Sequence, residues 1–264
     1  MSRFSNLEFG TGFGSEGRQI QDSDQTVEKD EYFFLALADE EFGMADFEGS
    51  LRHYAKVLEF NPNSVASWLG QVRALIELGE FREAKLWADK ALERFPDEGQ
   101  LLAAKAVALA RCGDTESALA FSDAAIEQRA PTPYIWLARC DVFLARNEPL
   151  ASSCLERAMA QAKGDWFIAW LATRIHFYYE RFAIALKMAL VALNLNPGND
   201  ALWFQAGLCQ RELALSDAAS ESFERARELN PSNRAAVDAL TRLNQRGTMG
   251  RLMDKFRLMI SPKQ

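Results

Sequence analysis

The sequence has few of the residues that usually carry catalysis or bind metals. Its 264 residues include two histidines and four cysteines. The cysteines stand at positions 112, 140, 154 and 209, and no two of them form a C-x-x-C pair. A zinc site or a redox pair needs closely spaced ligands, so we predict no metal site. The cysteines are expected to be small apolar side chains in a reducing compartment.

The common enzymatic motifs are also missing. The chain has no Gly-rich phosphate loop, no H-E-x-x-H and no G-x-S-x-G. "GTGFG" at residues 10–14 lacks the flanking strand and helix of a phosphate-binding loop. His53 and His176 lie in helical patterns, where packing is a commoner role than catalysis. We therefore predict a protein that is not an enzyme and that needs no cofactor.

Positive charge and long apolar runs are scarce as well. The net charge of −7 argues against nucleic-acid binding, which needs a basic stripe on the surface. No run approaches the roughly 20 apolar residues that span a bilayer. The first residues, "MSRFSNLEFGTGFGSEGRQ", lack the apolar core of a signal peptide. These features predict a cytoplasmic protein for which contact with a membrane is unlikely.

A repeat with a fixed period is present. Residues 31–245 are rich in alanine, leucine, glutamate and arginine, which is helical composition. Prolines at 62, 96, 131, 197 and 231 are separated by 34, 35, 66 and 34 residues. The 66-residue interval is nearly two periods, and Gly164, also a residue that can end a helix, lies near its middle, where a proline is missing. The spacing predicts six units that start near residues 31, 65, 99, 133, 166 and 200, each made of two helices and a turn.

Side chains of similar size recur at fixed places in the six units. The fourth place is mostly bulky, and the twentieth and twenty-seventh places are small. The fourth-place residues are Phe34, Trp68, Leu102, Trp136, Ala169 and Trp203. The twentieth-place residues are Ser50, Ala84, Ala118, Ala151, Ala185 and Ala219, once a one-residue deletion in the fourth unit is allowed for. Small residues at fixed phases let two helices approach closely.

These places resemble the tetratricopeptide repeat, whose pattern is W-x2-L-G-x2-Y, then A-x3-F, A and P over 34 residues. The sixth unit carries it at Trp203, Gly207, Ala219, Phe223, Ala226 and Pro231. The second unit carries it at Trp68, Ala84, Ala91 and Pro96. The resemblance implies an all-α fold, a right-handed α-solenoid of six repeats over residues 29–233. Residues 234–246 are predicted to form a capping helix, with Val237, Leu240 and Leu243 on one face.

The two ends differ from the repeats. Residues 1–28 are predicted to be a flexible arm, although Phe4, Leu7, Phe9 and Phe13 are spare apolar side chains. The arm either packs loosely on the first unit or docks in a groove of its own chain or of a partner. Residues 247–264 are predicted to be a basic amphipathic tail that packs back on the array, self-associates or grips a partner helix, with contact to a membrane surface as the least favoured alternative.

The resemblance also implies a function and a site. In this family the first helix of each pair lines a concave groove that holds peptides. By that correspondence the partner-binding residues are Arg73, Arg111, Tyr134, Leu137, Asp141, Phe167, Trp170, Arg174, Phe177, Phe204 and Arg211. Trp170 fits either the groove or the core. We predict a protein-binding scaffold or adaptor that captures a protein or peptide segment over units four to six. The alternative is a dedicated chaperone or assembly factor of a secretion or envelope system.

Overall fold

The computed structural model describes residues 29–128, 130–243 and 245, and α-helix is the regular structure throughout that part of the chain. Six helical pairs follow one another, and residues 234–243 are helical after them. The helices are α1 Glu31–Gly43, α2 Phe47–Phe60, α3 Val65–Glu77, α4 Phe81–Arg94, α5 Gly99–Arg111, α6 Thr115–Glu127, α7 Pro133–Ala145, α8 Ala151–Ala162, α9 Trp166–Tyr178, α10 Phe182–Leu195, α11 Asp200–Glu212 and α12 Ser216–Leu229. The predicted all-α helical repeat fold is confirmed.

The chain forms two compact units. The first contains α1–α8, and the second contains α9–α12 with the helical residues 234–243. The predicted N-terminal arm and basic tail lie outside the described residues. Among the helices that the structure describes, none has the length and apolar character needed to cross a bilayer.

Each pair starts with a side-chain cap. Ordinarily the first backbone N–H groups of a helix have no partner inside it, and a side-chain oxygen at the N-cap satisfies one of them. All six first helices have such a cap, supplied by Asp30, Ser64, Glu98, Thr132, Asp165 and Asn199. These residues precede the six starting positions in the sequence, so local polarity sets where each pair begins.

The turn between the two helices has the same geometry in all six pairs. The residue at the fifteenth place has a positive φ, and the next N–H donates to the carbonyl five residues earlier at 2.8–3.0 Å. This is the Schellman ending of a helix, for which glycine is the usual residue. Glycine fills the place only in Gly79 and Gly113, and the others are Ala45, Asn147, Glu180 and Ala214. Tertiary packing therefore holds four of these turns in a conformation that their residues disfavour.

In two of the six pairs, the bulky fourth-place residue closes the joint with the preceding pair. The Trp68 indole donates to the carbonyl of Pro62 at 3.0 Å, and the Trp203 indole donates to the carbonyl of Pro197 at 2.8 Å. Each proline belongs to the turn that precedes the pair. The Asn-Pro turn thus supplies an acceptor for the aromatic side chain six residues later, which ties the turn to the following helix.

The small residues lie where two helices touch. Every twentieth-place residue is buried, and so is every twenty-seventh-place residue: Val57, Ala91, Ala125, Ala158, Ala192 and Ala226. Two glycines show how little room remains at such contacts. A Cβ on Gly70 would lie 2.3 Å from the Tyr54 ring, and one on Gly207 would lie 2.5 Å from the Phe223 ring.

The terminal helix covers the end of the second unit through a face that differs from the predicted one. Ala236, Ala239 and Leu240 are buried, and Leu243 packs against the cluster that includes Phe223. Val237 is 39% exposed, so its predicted place on the packed face is wrong. Positions 236, 239, 240 and 243 lie on one side of a helix. The two alanines on that side are small enough to let the helix approach the cluster closely.

A substitution at Gly207 tests this packing. Gly207→Ala should lower the free energy of unfolding by about 2 kcal/mol, because the new methyl group meets the fully buried Phe223 ring. This loss exceeds the gain of about 1 kcal/mol that alanine gives a helix interior. Urea denaturation measures it. Gly198→Ala is the control, because the nearest atom to its Cβ lies 4.0 Å away. Equal stability of the two variants would contradict the packing argument.

Candidate functional site

In the first unit, the candidate groove residues contact one another across several helices. The Arg73 guanidinium of α3 lies over the Phe42 ring at 5.0 Å and over the Tyr134 ring at 4.7 Å. Phe42 belongs to α1 and Tyr134 to α7. The contact between Arg73 of α3 and Tyr134 therefore spans the third pair, whose first helix is α5. Burial is the main reason that the pKa of Tyr134 rises to about 12.

An ion pair joins α5 to α7 next to this cluster. Arg111 Nη2 donates to Asp141 Oδ2 at 2.7 Å, and Arg111 Nε donates to the same oxygen at 3.2 Å. The Arg111 and Asp141 side chains are 4% and 0% exposed. Leu137, one turn before Asp141, is also fully buried. Both charges lose their hydration in the interior. The short, well-aligned hydrogen bonds between them offset that loss.

The first-unit candidates are therefore brought together, but mainly as part of the core. Leu137 and Asp141 have no surface that a ligand could contact, and Arg111 is engaged with Asp141. Tyr134 and Arg73 keep partial exposure. These residues lie on the first helices of their pairs, and the interactions among them come from tertiary structure.

The buried ion pair makes a stability prediction. Asp141→Asn should lower the free energy of unfolding by about 3 kcal/mol, because it leaves the Arg111 charge buried without a counter-charge. Chemical denaturation monitored by circular dichroism measures the loss. The control is Lys85→Ala, which removes a pair with Asp89 whose side chains are 47% and 36% exposed. That variant should lose less than about 1 kcal/mol. An Asp141→Asn protein as stable as the control would refute the structural role of the pair.

In the second unit, aromatic side chains gather at the start of α9. The Trp170 ring lies 5.6 Å from the Phe167 ring and 6.5 Å from the Trp166 ring. Trp170 is 1% exposed, whereas Phe167 and Trp166 are half-buried. Of the two roles open to Trp170 from the sequence, the structure gives it the core. The fourth-place residue of this fifth pair is Ala169, so the neighbouring Trp170 fills the volume that a fourth-place aromatic residue fills in other pairs.

Arg174 lies on α9, one turn after Trp170. Its guanidinium is 5.4 Å from the centre of the Trp170 ring, and its Nη1 donates to Gln205 Oε1 of α11 at 3.4 Å. Arg174 is half-buried. A planar guanidinium is suited to bidentate hydrogen bonds with a carboxylate.

The end of α9 requires a correction. Phe177 was predicted to line the groove, but its ring packs on Phe182 of α10 at 5.3 Å. The neighbouring Tyr178 is 44% exposed and contacts Tyr179 edge-on at 4.9 Å. Adjacent helical residues point about 100° apart, so only one of the two can face a given side. Tyr178 is thus the exposed aromatic residue at this end.

The remaining candidates lie on α11. Phe204 is half-buried, and its ring is 5.7 Å from that of Phe223. Arg211 is half-buried and pairs with Glu212, with Nη2 donating to Oε1 at 2.7 Å. We define the inner face of the second unit as Phe167, Arg174, Tyr178 and Arg211; the predicted Phe204 is left out, because its ring packs on Phe223 of α12 just as that of Phe177 packs on Phe182 of α10. Sequence reasoning missed Gln205, which positions Arg174; a glutamine at a buried helical place gives no sign of its partner.

Of the residues considered for chemistry, His176 and three of the cysteines are buried, whereas Cys112 is exposed and His53 is half-buried. His176 is 2% exposed, and burial, followed by the nearby Arg181 charge, lowers the pKa of its imidazole to about 4. Cys140, Cys154 and Cys209 are buried too, and burial raises the pKa of each thiol, that of Cys209 to about 12. In the described part of the chain, no group of three His, Cys, Asp or Glu side chains is arranged to hold a metal ion. The packing role predicted for His176 agrees with its burial.

The low pKa of His176 predicts a pH dependence of stability. In the unfolded chain the imidazole titrates near 6.5, whereas in the folded chain it stays neutral down to about 4. The unfolded state therefore binds the proton first, and stability falls as the pH drops from 6.5 towards 4. His176→Gln should remove about 2 kcal/mol of the stability lost between pH 7.5 and pH 5.0. Denaturation of both proteins at the two pH values measures this difference. An identical pH dependence in the two proteins would contradict it.

Comparison with known proteins gives the context of this fold. A sequence profile described as tetratricopeptide repeat matches residues 41–108, and a second profile of the same description matches residues 201–233. A curated relative, the BBSome complex member BBS4 of Bos taurus, is 23% identical over 189 residues. That alignment covers 71% of this chain and 36% of the relative, so the chain spans about a third of that protein.

Two solved structures are similar in fold. A tetratricopeptide repeat protein from Parabacteroides merdae has a TM-score of 0.51 and 13% identity, covering 83% of this chain and 86% of that one. The human IFIT1 dimer, solved with m7Gppp-AAAA, has a TM-score of 0.50 and 17% identity, covering 86% of this chain and 59% of that one. At such identities the likeness concerns the fold.

Proposed function

The chain is a tetratricopeptide repeat protein, and from that premise we propose that it is a protein-binding scaffold whose second unit captures a peptide segment on its inner face. The fold is typical of interaction scaffolds. The observation that carries the finer proposal is the combination of exposed or half-buried aromatic rings with two arginines on α9 and α11. Aromatic and arginine side chains are those that contribute most to binding at protein interfaces.

The two units differ in what they offer a ligand. In the first unit, the inner arginines are engaged: Arg111 by a buried carboxylate, and Arg73 by two aromatic rings. In the second unit, Arg174 contacts the neutral Gln205 amide and the neutral Trp170 ring. We propose the second unit as the receptor for a negatively charged group, because arginines and partly exposed aromatic rings occur together on α9 and α11.

This inner face favours a ligand of defined chemistry. Phe167 and Tyr178 offer apolar area, and Arg174 and Arg211 are proposed to donate to carboxylates, Arg211 by exchanging its contact with Glu212. A short segment with apolar residues and acidic residues satisfies both. Such a segment, ordered on binding, is expected to bind with Kd in the micromolar range, about −7 to −8 kcal/mol.

Synthetic peptides test the proposal. The probes are three fluorescent 12-residue peptides in which leucine is spaced identically and the remaining residues are rich in glutamate, lysine or serine. The glutamate peptide should bind the full chain in the micromolar range and at least tenfold more tightly than the other two. Arg174→Glu should weaken binding of that peptide at least tenfold, as measured by fluorescence anisotropy. Equal affinity for the lysine and glutamate peptides would overturn the proposed ligand chemistry.

Two further variants separate binding from folding. Arg225→Glu makes the same charge reversal on α12, where the Arg225 side chain is 50% exposed and pairs with Glu228, and it should leave affinity unchanged. Trp170→Ala should cost about 3 kcal/mol of stability, because it empties a buried volume. Loss of binding by Arg225→Glu as large as that by Arg174→Glu would indicate a general charge effect and not a site.

A further inference from the structure

The outward face of α1 is more exposed than the same face of later first helices. In α3, α5, α7 and α11, each of which follows another pair in its own unit, the third, sixth and tenth places are all buried. These are Ser67, Gly70 and Ala74; Leu101, Ala104 and Ala108; Ile135, Ala138 and Val142; and Leu202, Gln205 and Cys209. In α1 the same places hold Phe33, which is half-buried, and Ala36 and Glu40, which are exposed.

Aromatic residues enlarge this open face. The Phe33 ring meets the Phe34 ring edge-on at 5.3 Å, and Phe34 stacks on Phe60 at 5.8 Å. Phe60 is 52% exposed, and Tyr32 is 71% exposed. We call Phe33, Ala36, Leu37 and Phe60 the first-pair face. The end of a repeat array needs a cover that is polar on the outside, because one pair cannot bury its own apolar face.

We propose that residues 1–28 of the same chain cover the first-pair face, with Phe4, Leu7, Phe9 and Phe13 as the contacting side chains. These four residues are apolar side chains in a segment otherwise rich in glycine, serine and charged residues. The segment joins the structure at Lys29, two residues before α1 begins. It therefore enters beside the face that it is proposed to cover.

The length of the segment is sufficient. Fifteen residues, 14–28, separate Phe13 from Lys29 and reach up to about 50 Å when extended. The 13 residues of α1 span about 20 Å. The four apolar residues can thus return along the whole of α1. Because the connection is covalent, the local concentration is about millimolar, so a contact of modest intrinsic affinity is largely occupied.

An intramolecular cover also fits the charges. Residues 1–13, which carry the four apolar side chains, contain one arginine and one glutamate and so have no net charge, whereas the connection over residues 14–28 carries a net charge of −3. The exposed Glu40 at the rim of the face suits Arg3, which precedes Phe4. A second copy of the chain would have to compete for this face with the attached segment. Its binding would also cost translational freedom, which the attached segment does not lose.

The test uses the full-length chain and a charge placed on the first-pair face. Ala36→Arg should release the segment, because it puts a large charged side chain at the centre of the face. Ala160→Arg is the control, since Ala160 is an exposed alanine of α8. The readouts are the rate of cleavage after Glu16 by a glutamate-specific protease and deuterium uptake by residues 31–43. Both should rise at least tenfold in Ala36→Arg and stay unchanged in Ala160→Arg, with helix content equal in the two proteins.

A variant of the segment itself keeps the test independent of α1. Phe4, Phe9 and Phe13 replaced together by serine should raise deuterium uptake of residues 31–43 to the same extent. Unchanged uptake in this variant, or equal cleavage rates in wild type and Ala36→Arg, would overturn the proposal. Measurements at 1 and 100 μM, with sedimentation, distinguish a second copy as occupant. Protection that disappears on dilution together with a dimer mass would also overturn it.

Discussion

The structure depends on the close contact between the two helices of each pair across small side chains. At the twentieth and twenty-seventh places the buried residues are nearly all alanine, and in the sixth pair α11 and α12 approach until the Phe223 ring touches bare backbone at Gly207. Packing density at these contacts leaves no room for a methyl group. Stability therefore comes from a series of similar interfaces rather than from one large core.

This constraint explains why the turns tolerate unfavourable residues. The fifteenth place adopts a positive φ in all six pairs, although alanine, asparagine and glutamate occupy four of them. A non-glycine residue in this conformation costs about 1 kcal/mol. The distance between the paired helices is set by their small residues, so the turn must close in one geometry whatever residue is there. The side-chain caps at the starts of the first helices then direct each following pair.

The same repeat frame supports two different inner surfaces. In the first unit, Arg111 and Asp141 satisfy each other out of water, and Arg73 lies between aromatic rings. In the second unit, Arg174 is held by Gln205 and Trp170, and aromatic side chains stay partly exposed around it. One repeat frame therefore carries different side-chain contacts in its two units, and these contacts, not the fold, distinguish the two surfaces.

The sequence by itself determined the period, the helical class and the start of each pair, because these follow from local features. Prolines end helices, polar residues cap them, and side-chain sizes recur with the repeat. The tertiary structure alone decided which side each residue faces. Phe177 turns to α10 while Tyr178 stays exposed, Trp170 fills the core, and Val237 is exposed beside buried alanines. A rotation of about 100° per residue separates these outcomes, and helix packing, not local sequence, sets that rotation.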